Sequence, residues 1–389
     1  MGGRKRKTPE LVSEVLAGSE PEQEHKERLK KYSGAKRHSN EVAEHILAHN
    51  PTLYKEAELL RACSSWLIFR HFYTANKYRL IGGCTCKKHL LCAMCALRRS
   101  AKTVKEYEAR IQQVLAEKPG LIPVLLTLTV KNGEDLDERT RHLDSAVSRM
   151  IKNRSNSIAG GRHQTSFRII DGAAGAFEFK RGSRSGLWHP HIHMLALIPA
   201  ETDLLEFEWN ISEEWRKLTK DSFNVDVTPV DTSTQEKRFG AICEVFRYAL
   251  KFGEMEIADQ VHAYQVLKGR RLVRAFGSLY GVTVPDDLHE TIEDELKLQP
   301  YIDLVYEFSK GKGYFLKEVT DTGDQLTGPA KPKATEGTRR GSRLSRKIFL
   351  QVKDLEKPWL NRSLDGAYMQ DWVEGAEVED SFQPMVVPF

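Results

Sequence analysis

The sequence contains no apolar run approaching the ~20 residues that a membrane-spanning helix requires, so a membrane role is not expected. No signal peptide is read at its start, and only six cysteines occur in 389 residues. That combination argues against a disulfide framework and points to a cytoplasmic protein. No internal repeat is found. After Arg362 there is no lysine or arginine, only six acids. Basic charge lies instead at the other end: residues 1–118 carry 23 Lys and Arg against 13 Asp and Glu, while the whole chain nets +5. A basic half suits a phosphate-bearing partner, although a charged helical surface would have the same composition. The length predicts two or three domains at roughly 150 residues each.

Trp188-His189-Pro190-His191-Ile192-His193-Met194-Leu195 is the most informative stretch. In an extended strand, side chains two apart share a face, so His191 and His193 present two imidazoles side by side. Upstream, Ala176-Phe177-Glu178-Phe179-Lys180 alternates as a half-buried strand. Arg181 to Gly186 then reads as a loop. The arrangement predicts a hairpin with Glu178 across from the histidines. A His-His-Glu set with open positions suits a catalytic metal. The bland reading is a core strand that happens to carry histidines. His189 is an alternative ligand in place of His191 or His193, but Pro190 interrupts the ladder beside it.

A second constellation follows. Cys243 to Phe252 has helical spacing, with Glu244 and Tyr248 at i and i+4 and Lys251 three residues on. A tyrosine beside a cation ionises more easily, and a phenolate can attack phosphorus. A carboxylate in reach can serve as general base. By itself this spacing also describes an ordinary solvated helix face.

Four cysteines cluster as Cys84-x-Cys86-x5-Cys92-x2-Cys95. Four thiolates at such spacing can close a tetrahedron around structural zinc, with His89 able to replace one sulfur. Four reduced, unliganded thiols are the alternative.

Leu125 to Val130, then His189 to His193, then Glu244 to Lys251 occur in the order found in rolling-circle replication initiators of small bacterial plasmids. The chain resembles the single-tyrosine branch of these HUH endonucleases, which carries a glutamate four residues before the tyrosine. The resemblance covers roughly residues 84–281. It implies an α+β fold with a central antiparallel sheet flanked by helices, preceded here by a helical cysteine-rich region. It also implies Mg or Mn on Glu178, His191 and His193, Tyr248 as nucleophile, Glu244 directing terminating hydrolysis, and Lys251 as the lysine that commonly follows the tyrosine. Single-stranded or hairpin origin DNA, a host helicase and a host polymerase are the implied partners, with a dimer not settled by the sequence. Initiators of this kind often follow a cysteine-rich segment with an Arg-Arg helix, which Arg98 and Arg99 match. Arg270 and Arg271, in a glycine-containing basic stretch, suit a phosphate contact. Transposases and relaxases share this chemistry and form the nearest alternative. An iron oxygenase and a non-catalytic zinc-dependent DNA-binding regulator are the rivals from other classes.

The expected organisation is a basic flexible segment at 1–40 and a helical region with the cysteine cluster at 41–118. The endonuclease domain follows at 119–283 and an extension at 284–319. A linker with a basic stretch and an acidic tail closes the chain at 320–389.

Overall fold

The computed structural model describes residues 20–162, 164–182, 184–246 and 255–321. In chain order it begins with helices α1 (Glu20–His49) and α2 (Tyr54–Ala62), strands β1 (Trp66–Phe72) and β2 (Lys77–Gly83), and helix α3 (Ala93–Glu117). Strand β3 (Leu121–Thr129), helix α4 (Leu136–Ile158), strands β4 (Gly172–Arg181) and β5 (Trp188–Pro199), and helix α5 (Leu204–Thr219) come next. Strand β6 (Val225–Pro229), helices α6 (Gln235–Val245) and α7 (Ile257–Leu267), and strands β7 (Val273–Gly277), β8 (Ile302–Ser309) and β9 (Gly313–Asp321) complete it. The chain is therefore α+β, with two antiparallel sheets of order β2-β1-β8-β9 and β6-β3-β5-β4-β7. Among the described residues, no helix is long and apolar enough to cross a membrane.

The chain divides into two compact units. The first takes residues up to 37, residues 62–85 and residues from 289 on; the second takes residues 38–61 and 86–288.

In the first unit, β1 is central and buried almost throughout. A strand covered on both faces reads as a continuous apolar run, and at seven residues such a run is indistinguishable from a buried helix by periodicity. That is why residues 66–78, expected within the helical region, prove to lie in a hairpin. Their partners are equally distant in sequence: β8 and β9, in the expected extension, complete the sheet. Arg70 clamps Asp303 across β1 and β8 through two hydrogen bonds of 2.8 and 3.0 Å. A second correction concerns residues 20–40, expected without fixed structure. From Glu20 they are helical, and their buried positions are mostly aromatic, imidazole and small, with the fully buried Lys36 among them, rather than aliphatic. His25 stacks on Tyr78 at 4.1 Å, and Ser33 Oγ accepts the Tyr314 N–H at 3.0 Å. Residues 1–19 and 322–389, which include the expected basic stretch and acidic tail, lie outside the described residues.

The second unit is built on the five-stranded sheet. Val104, Tyr107, Ile111 and Val114 of α3, and Ile242, Val245 and the capping Phe246 of α6, pack in one cluster with Ala174, Ala176, Leu195 and Leu197 of the central strands. Tyr107 stacks on Phe246 at 4.4 Å. The other side chains of β5, Ile192, Met194, Ala196 and Ile198, are fully buried from the opposite face, each worth about 1.5–3 kcal/mol for its larger members. Helix starts are set by side-chain caps: Asp135 accepts the N–H groups of Asp137 and Glu138, Asp203 those of Leu205 and Glu206, and Thr234 that of Lys237.

Candidate active site

The β4–β5 hairpin is present, with Glu178 opposite His191 and Ala176 opposite His193. Directly opposed residues in an antiparallel pair point to the same face, so the carboxylate and both imidazoles converge. His191 Nε2 lies 3.6 Å from Glu178 Oε1, and His193 Nε2 lies 3.6 Å from Glu178 Oε2. Donor atoms of all three residues fall within 4.8 Å of one another. Glu178 and His191 are buried, while His193 keeps one edge toward solvent. Burial pushes His191 down to about 4, against the pull of the Glu178 charge, and so holds its imidazole in the neutral form a ligand requires.

Two further side chains shape the group. Thr127, opposite His193 on β3, hydrogen-bonds His193 Nδ1 at 3.0 Å. That contact leaves Nε2 as the nitrogen facing Glu178, the arrangement by which an outer partner fixes a ligating tautomer. Sequence reasoning placed Thr127 only in a threonine-rich strand; its register against His193 could not be read from spacing. Lys180 Nζ stands 3.3 Å from Glu178 Oε1 and adds positive charge to the rim.

His189 shares the face but is held by Asn132, with Nδ1 2.5 Å from the amide oxygen, and is not in the convergent group. Its imidazole is held below the usual histidine range by burial and then by the Lys180 charge. Pro190 is accommodated because the β3 ladder begins at His191, so its missing N–H falls just past that pairing.

Two imidazoles and one carboxylate form a borderline-hard donor set that fits a divalent ion with positions left for substrate oxygens. Their 3.6 Å separations match donors that share an ion at bonds of about 2.1 Å.

Glu244 is exposed on the last turn of α6, which ends at Val245. Tyr248 and Lys251 lie outside the described residues. The helix itself starts at Gln235, ahead of the stretch from Cys243 whose spacing is helical.

A cysteine cluster that could hold a metal ion is present: Cys86, Cys92 and Cys95 of the second unit bring their sulfurs within 4.8 Å of one another. Cys86 and Cys95 are 3.6 Å apart. Ser39 Oγ reaches the Cys92 sulfur at 3.5 Å and accepts the Ala93 N–H at 3.1 Å, anchoring the start of α3. Cys84, expected beside Cys86, is engaged elsewhere. Its thiol donates to the Ala62 carbonyl at 2.6 Å, within the first unit.

Among the arginines, Arg98 is corrected. It is buried, and its guanidinium donates to the Leu288 carbonyl at 3.0 and 2.5 Å, a structural tie that withdraws it from any DNA contact. Arg99 is half-buried and donates to the Pro285 carbonyl at 3.0 Å. Arg270 pairs with Asp137, and Arg271 is exposed.

A family model described as "Replication protein" (Rep_1) matches residues 77–305. The chain is also similar to three curated proteins named "Protein rep". It is 28% identical to the protein from Bacillus sp. over 46% of this chain and 55% of the relative. For the Streptococcus pneumoniae serotype 2 strain D39 protein the values are 27%, 50% and 60%, and for that of Lactiplantibacillus plantarum 25%, 55% and 68%. The chain thus spans little more than half the length of the first two. No solved structure matches it significantly.

Proposed function

The chain belongs to the Rep_1 family of replication proteins, and from that premise we propose that it initiates rolling-circle replication of a plasmid by nicking one strand of the origin, with an HUH-type catalytic domain. The observation that carries this reading is the convergence of Glu178, His191 and His193 on one face of the central strands, in the same unit as the helix that leads toward Tyr248. The substrate is single-stranded or hairpin origin DNA, since a phosphate held in regular duplex would not enter a site walled by a sheet and two helices.

Glu178, His191 and His193 hold Mg or Mn, which when bound supplies Lewis-acid polarisation of the scissile phosphate. Thr127 keeps His193 in the ligating tautomer. The Tyr248 hydroxyl attacks phosphorus in line; the bond to the 3′ oxygen breaks, leaving a 5′-phosphotyrosine and a free 3′-OH. Lys251 lowers the cost of the phenolate. After one round, Glu244 takes the proton from water or from a new 3′-OH, which releases the tyrosine without a second one. A host polymerase extends the 3′-OH and a host helicase opens the duplex, in the cytoplasm. The cysteine cluster carries structural zinc.

The test mixes the protein and Mn with origin DNA and identifies the DNA-linked peptide by mass spectrometry. The adduct is expected on Tyr248 and is abolished in Tyr248→Phe. Glu244→Ala still nicks but fails to terminate cleanly, and normal termination would remove the role given to Glu244. DNA binding without an adduct, unaltered in Tyr248→Phe, would mark a non-catalytic regulator. Strand joining to a target, rather than extension and termination, would mark a transposase or relaxase.

A further inference from the structure

The second unit holds a cavity of about 600 Å³, a volume in the range that encloses small ligands. Among the described residues, its lining contains six Lys and Arg and no Asp or Glu. Lys268 is paired with Glu56 and Arg270 with Asp137. Lys87, Lys88 and Arg271 have no ion pair among the described residues, and Arg99 meets Asp286 only at 3.5 Å. The lining therefore carries a net, uncompensated positive charge. The rest is apolar and aromatic: Tyr107, Phe246, Leu272, Val273 and Val282. Positive charge for a phosphate beside apolar and aromatic surface for a flat ring is the chemistry of a nucleotide site.

Position adds to composition. Ala176 lines the cavity and stands two residues before Glu178 on β4, opposite His193. Phe246 lines it as the cap of α6, two residues before Tyr248. The cavity thus shares a sheet face with the metal-ligand group and a helix end with the nucleophile segment.

Base identity is read by donors and acceptors aimed at base edges, and here three of the four lining hydroxyls donate within the protein. Ser100 Oγ donates to the Phe246 carbonyl at 2.5 Å, Thr103 Oγ1 to the Arg99 carbonyl at 2.9 Å, and Tyr264 Oη to Glu56 at 3.2 Å. His89 and the Tyr107 hydroxyl are the neutral polar groups that remain in the described lining.

We propose that this cavity seats one nucleotide of the single strand beside the phosphate to be cut, gripping its phosphate by charge and its base by apolar contact without reading which base it is. The assignment to the strand rests on the nicking function above. The grip itself does not, and can be measured without metal or turnover.

The full-length protein is titrated calorimetrically with each of the four deoxynucleoside 5′-monophosphates, with inorganic phosphate and with an unphosphorylated deoxynucleoside. The four nucleotides are expected to bind within about fivefold of one another, and at least about tenfold tighter than either fragment. Lys88→Glu and Arg271→Glu should each weaken them by about tenfold or more, with Lys88→Gln and Arg271→Gln in between and melting temperatures retained. A mononucleotide should displace a labelled oligothymidylate. Phosphate binding as tightly as nucleotides would reduce the cavity to a bare anion site, and a preference for one base above about fiftyfold would make it a base reader. Nucleotide binding without displacement of the oligothymidylate would assign it to a free nucleotide instead. Affinities unmoved by both charge reversals overturn the proposal. Should nicking fail while nucleotides still bind and displace, the function above fails and the cavity stands.

Discussion

Thr127 shows what one side chain contributes beyond the ligand set. A histidine binds an ion through one nitrogen only if the other is held, and the hydroxyl 3.0 Å from His193 Nδ1 is that hold. Thr127→Val removes it while keeping the shape of a β-branched strand residue, and should weaken Mn binding by about 10–100-fold. Thr127→Ser restores the hydroxyl and most of the affinity. Calorimetric titration of Mn into the three proteins checks this, and equal affinities would show that the bond positions nothing. The convergence of Glu178, His191 and His193 was legible in the sequence, because polar groups at period two inside an apolar run need a reason to be buried. Thr127 was not, since a threonine is an ordinary strand former and only the pairing register sets it against His193. Arg98 failed in the other direction: an Arg-Arg pair looks like a phosphate contact until its first member is found tied to a buried carbonyl.

At the scale of elements, the β4–β5 hairpin is the part that brings Glu178, His191 and His193 together, and its close contact depends on Gly175. A Cβ there would come within 2.5 Å of both the His193 carbonyl oxygen and Met194 Cγ. Gly175→Ala must push β5 away at the residue that bears a ligand. Overpacking of this kind costs about 1–3 kcal/mol, seen as a lower denaturation midpoint, and Mn affinity should fall with it. A variant that loses stability but binds Mn as before would show that the strand absorbs the strain away from His193. The hairpin was readable although β4 is buried on both faces, because Glu178 and the histidines mark alternate positions among apolar residues. β1 was not: it is buried almost throughout and carries no such marker at period two.

Across the whole molecule, both units are discontinuous in sequence. β1 and β2 find β8 and β9 more than 200 residues away in the chain, and such pairing leaves no local trace. The cysteine cluster in the second unit predicts a folding contribution from metal. The purified chain should carry zinc by elemental analysis, and chelation should lower its melting temperature. Cys86→Ser or Cys95→Ser should lose the metal, whereas Cys84→Ser, whose thiol is given to Ala62, should keep it. Loss of zinc from Cys84→Ser alone would restore the ligand set drawn from spacing.

The sequence by itself determined which strand bears the histidines and which acid faces them. These are local properties, set by side-chain period and turn residues within a few positions. Only the tertiary structure decided which cysteines meet, that Arg98 is structural, that Thr127 holds His193, and that a cationic cavity opens beside Ala176. Each of these depends on the distance between residues far apart in the chain, and that distance is set by the register and packing of whole strands and helices.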